Sequence, residues 1–159
     1  MKFYTIGVYG SDESEFFDKL LTNEIDTFCD IRQRRGVRGS KYSFVNSKQL
    51  QIKLKNLGIS YFHYLGLAPT KEIRMLQKQA DLNNQELKRE RKTLGAIFID
   101  EYKSKIVNQF NFHEFFEELK KSNAKKIVLF CVEESHQACH RSLIAEKLSN
   151  EYDFNVINI

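Results

Sequence analysis

The chain has 159 residues, enough for one well-cored domain and too few for two. No apolar run approaches the ~18 residues needed to cross a bilayer, and the opening residues lack the long apolar stretch and cleavage site of an export signal, so a cytoplasmic protein with no membrane partner is expected. Three scattered cysteines exclude a disulfide scaffold, and the net charge of +4 is uneven: residues 30–60 hold eight Lys or Arg against Asp30 alone, a field that points to an anionic partner.

Phe3–Val8 is a short apolar run closed by Tyr9-Gly10-Ser11, which predicts a strand and a turn. Ser11 or Ser14 could cap the next helix, whose stripe is Phe16, Phe17, Leu20 and Leu21. Ile25–Ile31 returns to strand character, with Asp30 and Arg32 at its end. The loop 34–41 is basic and carries two glycines, and a helix capped by Asn46 or Ser47 runs to Leu57, with Gly58 at its C′ position. Ile59–Leu65 predicts a third strand, on which His63 and Tyr64 read as packing residues.

From Thr70 to Arg91 the chain is charged and helix-prone, and further helices cover Ala96 to about Asn108 and about His113 to Lys121. Their sparse apolar positions could equally cover the domain's own core or pair with a second copy as a homodimer. Residues 127–132, rich in β-branched and aromatic types, predict a strand buried on both faces, with a helix from about Ser142 and an edge strand at Asn155–Ile159. The alternation predicts a single α/β domain over residues 1–159, with a mainly parallel sheet of four to five strands flanked by helices and a helical excursion at about 70–108.

The polar segment between the last long strand and its helix carries Cys131, Glu133, Glu134, His136, Cys139, His140 and Arg141, where open α/β sheets collect ligands. Cys139 in a first helical turn beside His140 would have its thiolate stabilised by the helix N-terminus and could act as a nucleophile; the alternative is a small core residue. Glu133 just past the strand is placed like a catalytic base or an arginine partner. Asp30 could orient a base or bind a ribose hydroxyl and Arg32 could grip a phosphate, or both could form structural ion pairs with neighbours across the strand ends. Arg34, Arg35, Arg38 and Lys41 suit phosphate-backbone contact, with Tyr42 and Phe44 near enough to stack on bases. A zinc set would use Cys131, Cys139 and His140, with His136 or Cys29 in addition, but paired short-spaced knuckles are missing and no metal or cofactor is assigned.

Four motifs occur in order: Thr5-Ile-Gly7, Asp30-Ile-Arg32, Gly58-Ile-x-Tyr61-x-x-x-Leu65-Gly66, and Cys131-x-Glu133 followed by Cys139-His140-Arg141-x-Leu-Ile-Ala145-Glu. Together they resemble the DUF488 family, small bacterial and archaeal proteins of unknown function. The resemblance covers most of the chain outside about 70–110, and its closing motif is the specific part. It implies a pocket at the strand ends built from Arg32, Glu133, Cys139, His140 and Arg141, with Asp30 and Cys131 in support. Many members carry proline at the place of His136, and Gly-Gly where this chain has Gly66-Leu-Ala-Pro69. The leading reading is an enzyme acting on a nucleotide or nucleic acid, with Glu133, Cys139 and His140 catalytic and Asp30, Arg32 and Arg141 binding substrate. A non-catalytic DNA- or RNA-binding module, a zinc-stabilised domain and a thiol-redox protein are the alternatives.

Overall fold

The computed structural model describes residues 1–87 and 90–159. Strands β1 (Lys2–Ile6), β2 (Thr27–Asp30), β3 (Ser60–His63), β4 (Lys126–Phe130) and β5 (Val156–Asn158) form one sheet in the order β3-β2-β4-β1-β5, with every pairing parallel. The mainly parallel sheet predicted by the alternation is thus a wholly parallel one. β4 lies at its centre, and Ile127–Phe130 are fully buried because helices cover both faces. β5 is an edge strand, as its position after the last helix suggested.

Among the described residues six α-helices accompany the strands: α1 (Glu13–Thr22), α2 (Ser47–Asn56), α3 (Lys71–Asn83), α4 (Ala96–Tyr102), α5 (Phe112–Lys121) and α6 (Arg141–Tyr152). The chain crosses the sheet one way from β1 to β3 and the other way from β3 to β5, so right-handed crossovers put α1 and α2 on one face and α3 to α6 on the other. Ring contacts agree. Phe16 of α1 meets Phe28 and Phe130 at centroid distances of 6.4 and 5.5 Å, and Phe115 and Phe116 of α5 meet Phe3 on the opposite face at 6.2 and 6.3 Å. The adjacent strands β1 and β4 send their chains in opposite directions, which opens a crevice at their carboxyl ends.

Several boundaries differ from the sequence reading. α1 is capped by Asp12, not by Ser11 or Ser14: the Asp12 carboxylate accepts from the Glu15 N–H at 2.9 Å and Glu15 reaches back to the Asp12 N–H at 2.9 Å, a complete capping box. Leu21 leaves the apolar stripe and is 48% exposed, because it follows buried Leu20 a quarter-turn farther round the helix. α3 stops at Asn83, and Gln85 takes a left-handed φ of 54°, so the helix predicted through Arg91 ends early. Lys88 and Arg89, within that predicted span, lie outside the described residues. α4 passes into a single π-helical turn, Lys103–Val107, before the break at Asn108.

The helical excursion serves the chain's own core: Ile73, Phe98, Tyr102 and Val107 are buried, and the Tyr102 hydroxyl donates to the Leu67 carbonyl at 2.5 Å. Among the described residues no helix is long and apolar enough to cross a membrane. Phe16 touches Phe17, Phe28, Phe44 and Phe130 and is fully buried. Phe16→Ala is therefore expected to lower the unfolding free energy by about 3–5 kcal/mol and Leu21→Ala by less than about 1 kcal/mol, as read from denaturant titrations of the two variants.

Candidate functional site

A cavity of about 550 Å³ opens at the crevice predicted by the topology. Tyr9 beyond β1, Arg32, Arg34 and Arg38 beyond β2, and Cys131 and Glu133 beyond β4 form its floor and one side. Arg74, Lys78 and Asp81 of α3, with Arg91 and Phe98, form the other side, and His140 closes it from below α6. A hollow of about 610 Å³ between Tyr64 and α5 is lined instead by surface charges of both signs, Lys105, Lys121, Glu114, Glu117 and Glu118, and gathers no reactive cluster.

Asp30 and Arg32 meet as a fork: Arg32 Nε and Nη2 donate to the two Asp30 oxygens at 2.9 and 2.7 Å, and both residues are buried. The Arg32 amide also donates to Asp30, the Tyr61 hydroxyl donates to it at 2.9 Å, and the guanidinium lies over the Phe130 ring at 4.5 Å. Asp30 is thereby occupied in orienting Arg32. Arg32 keeps one buried nitrogen, Nη1, that has no hydrogen-bond partner among the described residues; Arg74 Nε, also of a cavity-lining residue, and Arg141 Nε, away from the cavity, are likewise without one. Leaving such a donor unpaired costs about 1–3 kcal/mol, so the two at the cavity mark places for an acceptor. His63 is structural, its ring pairing with the Arg32 carbonyl at 2.9 Å.

The loop beyond β4 is fixed by two features. β1 passes so close that a Cβ on Gly7 would stand 2.0 Å from the Glu133 carbonyl oxygen, which only a glycine permits. Arg141, buried at the first turn of α6, donates from Nη1 to the Glu133 carbonyl at 2.6 Å and from Nη2 to the Glu134 carbonyl at 2.9 Å. Arg141 was expected beside a ligand; instead it is spent on the backbone and does not line the cavity.

Glu133 divides its carboxylate. Oε1 pairs with Arg91 Nη2 at 3.2 Å, and Oε2 accepts from the Cys131 thiol at 3.1 Å. Arg91, like Arg74, is a cavity residue that sequence reasoning missed. It also pairs with Asp81 at 2.9 Å and donates to the Ala138 carbonyl from Nε and Nη2 at 3.1 and 2.8 Å. Nothing in the sequence flags it, because its role depends on how the excursion folds back over the strand ends.

Cys139 does not sit in a helical turn. Its backbone is extended (φ −134°, ψ 144°), its N–H donates to the His136 carbonyl at 3.1 Å, and the helix begins only at Arg141. The expected place in a first helical turn is therefore not the one it takes, and Cys139 is buried and does not line the cavity. The His140 ring stands between two sulfurs: Nδ1 is 3.8 Å from Cys131 Sγ and 3.7 Å from Cys139 Sγ. Its Nε2 faces the Ile31 carbonyl at 3.1 Å, and a carbonyl only accepts, so Nε2 carries a proton and Nδ1 is the nitrogen turned toward the sulfurs; burial alone would lower the imidazole's pKa, but Cys131, Glu133 and the Ile31 carbonyl raise it on balance. Burial pushes the Cys131 thiol well above its ordinary range, and neighbouring Cys139 and Glu133 add to the rise.

Of the basic loop, Arg34 and Arg38 are exposed at the cavity rim, while Arg35 donates to the Tyr61 hydroxyl at 3.5 Å and Lys41 lies outside, over the Tyr42 ring. Tyr42 and Phe44 are buried against Tyr9, Phe16 and Phe17, so neither presents a face for stacking on bases.

A family described as "Domain of unknown function DUF488" matches residues 13–148, from the start of α1 to within α6. The chain belongs to the DUF488 family. No curated protein and no solved structure gives a significant match. The family's matched region contains every cavity residue named above except Tyr9.

The contact at Gly7 gives a direct check on how the Glu133 loop is held. Gly7→Ala is expected to cost about 3 kcal/mol of stability, whereas Gly36→Ala, with only Asn46 Oδ1 nearby at 3.9 Å, should change it by less than about 0.5 kcal/mol. Equal melting curves for the two variants would contradict the close approach.

Proposed function

We propose that the chain binds a phosphate-bearing substrate, a nucleotide or a nucleic-acid end, in the strand-end cavity and acts on it through Glu133. The supporting observation is that Arg32 Nη1 and Arg74 Nε, on two arginines that line one cavity, are buried and have no hydrogen-bond partner among the described residues. Arg34, Arg38 and Lys78 add positive charge at the rim, while the Asp81 and Glu133 carboxylates are both answered by Arg91. A cleft lined by one sign of charge with low-dielectric walls concentrates anions. A guanidinium preset by Asp30 offers a phosphate a donor whose orientation has already been fixed.

Within this reading the side chains divide by position. Arg32 and Arg74 hold the anion, and Glu133, with His140 on the same wall, is the group able to take up or relay a proton. Cys139 and Arg141 support from behind: the first borders His140, and the second holds the loop. Asp30 orients Arg32.

A second reading, a nucleic-acid-binding surface without catalysis, draws on the exposure of Arg34, Arg38 and Lys41 along one loop. It loses the aromatic platform, since Tyr42 and Phe44 are buried.

Both are tested by titrating a panel of nucleoside phosphates and short DNA and RNA strands into the protein. Arg74→Ala should weaken nucleotide binding about tenfold, the loss of one charge-assisted contact, with the fold intact by circular dichroism. Glu133→Gln should abolish turnover. Binding of oligonucleotides that falls steeply with salt and responds to Arg34→Ala and Lys41→Ala but not to Arg74→Ala supports the surface reading instead. Wild-type protein that takes up no member of the panel contradicts both.

A further inference from the structure

We propose that Cys131, Cys139 and His140 form a site for one thiolate-favouring divalent metal ion, with zinc the best-matched chemistry. Their ligand atoms, two Sγ and Nδ1, all lie within 4.8 Å of one another, and the two sulfur-to-nitrogen distances are 3.8 and 3.7 Å. Tetrahedral zinc, with bonds of about 2.3 Å to sulfur and about 2.0 Å to nitrogen, sets its donor atoms about 3.5–3.8 Å apart. The three residues therefore stand near ligand spacing already.

The surroundings favour the same use. A metal-binding imidazole donates its other N–H to a carbonyl or carboxylate, which fixes the ring and directs its lone pair at the ion. His140 does this through Nε2 to Ile31. All three side chains are buried, as a site that must exclude competing water requires. Glu133 Oε2, 3.1 Å from Cys131 Sγ, is within reach of the fourth position. Cys131 comes from the end of β4 and His140 from the start of α6, and the loop joining them is pinned at Gly7 and Arg141, so the donors are brought together before any ion arrives. Binding would release the thiol protons to solvent and leave two thiolates on the ion.

The spacing is unlike the paired knuckles of zinc-binding modules, since one ligand ends a strand and the other two precede a helix. Because Cys131 and His140 also line the cavity, the ion would stand in its wall.

The experiment is a titration of the reduced, chelator-treated full-length protein with Co²⁺ and then Zn²⁺, with no phosphate ligand present. One equivalent of Co²⁺ should bind with thiolate-to-cobalt charge-transfer and tetrahedral ligand-field absorption, and Zn²⁺ should displace it. Cys131→Ser, Cys139→Ser and His140→Ala should each weaken binding by about a hundredfold or more, and Cys29→Ser, on β2, should leave the stoichiometry unchanged. Circular dichroism confirms that each variant is folded. A folded wild-type protein without cobalt–thiolate absorption overturns the proposal whatever the variants do. So does a cobalt spectrum indifferent to both serine substitutions, or one lost only in Cys29→Ser. Since the readout is the metal alone, failure here leaves the anion-binding role of Arg32 and Arg74 standing, and failure of anion binding leaves this site standing.

Discussion

Everything at the candidate site depends on how the chain leaves β4. Two bonds from one guanidinium, Arg141 to the carbonyls of Glu133 and Glu134 at 2.6 and 2.9 Å, hold the turn, and the bare Cα of Gly7 lets β1 close beneath it. The positive end of the α6 dipole disfavours a cation in the first turn of that helix by about 0.3–1 kcal/mol, so Arg141 is badly placed for the helix itself. Its position makes sense as a clamp on the loop. With the turn held, Cys131 and Glu133 face the carboxyl ends of the neighbouring strands, and His140 comes back to meet Ile31 beyond β2.

The other two buried arginines among the described residues, unlike Arg141, are answered by carboxylates. Arg32 is answered by Asp30, and Arg91 by Asp81 and Glu133, all by contacts of 3.2 Å or less. Burying such pairs costs several kcal/mol per ion in desolvation before attraction repays it, so they are poor devices for stability alone. What they supply is orientation: each arginine is held in a single pose at the cavity wall. The rim charges Arg34, Arg38 and Lys78 are exposed, where solvent weakens any single contact, and they contribute a field more than a geometry.

Much of the scaffold could be read from the sequence because the physics behind it is local. The apolar run at 127–130 and the β-branched and aromatic strand before Asp30 show directly in composition, and Gly58, at φ +74°, marks the end of α2. The motif residues did converge at strand ends, but their tasks were not legible. A guanidinium in a reactive cluster reads as a ligand contact, and only its burial beside two carbonyls shows Arg141 to be a clamp. Cys139 could be read as a first-turn residue because the helix periodicity begins nearby, but it follows a 3₁₀ turn at His136–Ala138 in an extended conformation, two residues before the helix begins at Arg141. Tyr42 and Phe44 follow a basic loop in sequence but belong to the core beneath it. Arg91 carried no signal at all, since its partners are distant in sequence and nothing local demands an arginine there.

Glu133 is where these constraints meet. One oxygen answers Arg91, which arrives from the excursion between β3 and β4, and the other accepts from Cys131, the residue that follows β4. The position of the carboxylate therefore depends jointly on the docking of the excursion and on the state of the thiol cluster. A movement of the segment that carries Arg91 would loosen its contacts to Asp81, Glu133 and the Ala138 carbonyl together, because a single guanidinium makes all three. The excursion is thus a wall of the cavity and a cover of the core at once, with Phe98 belonging to both.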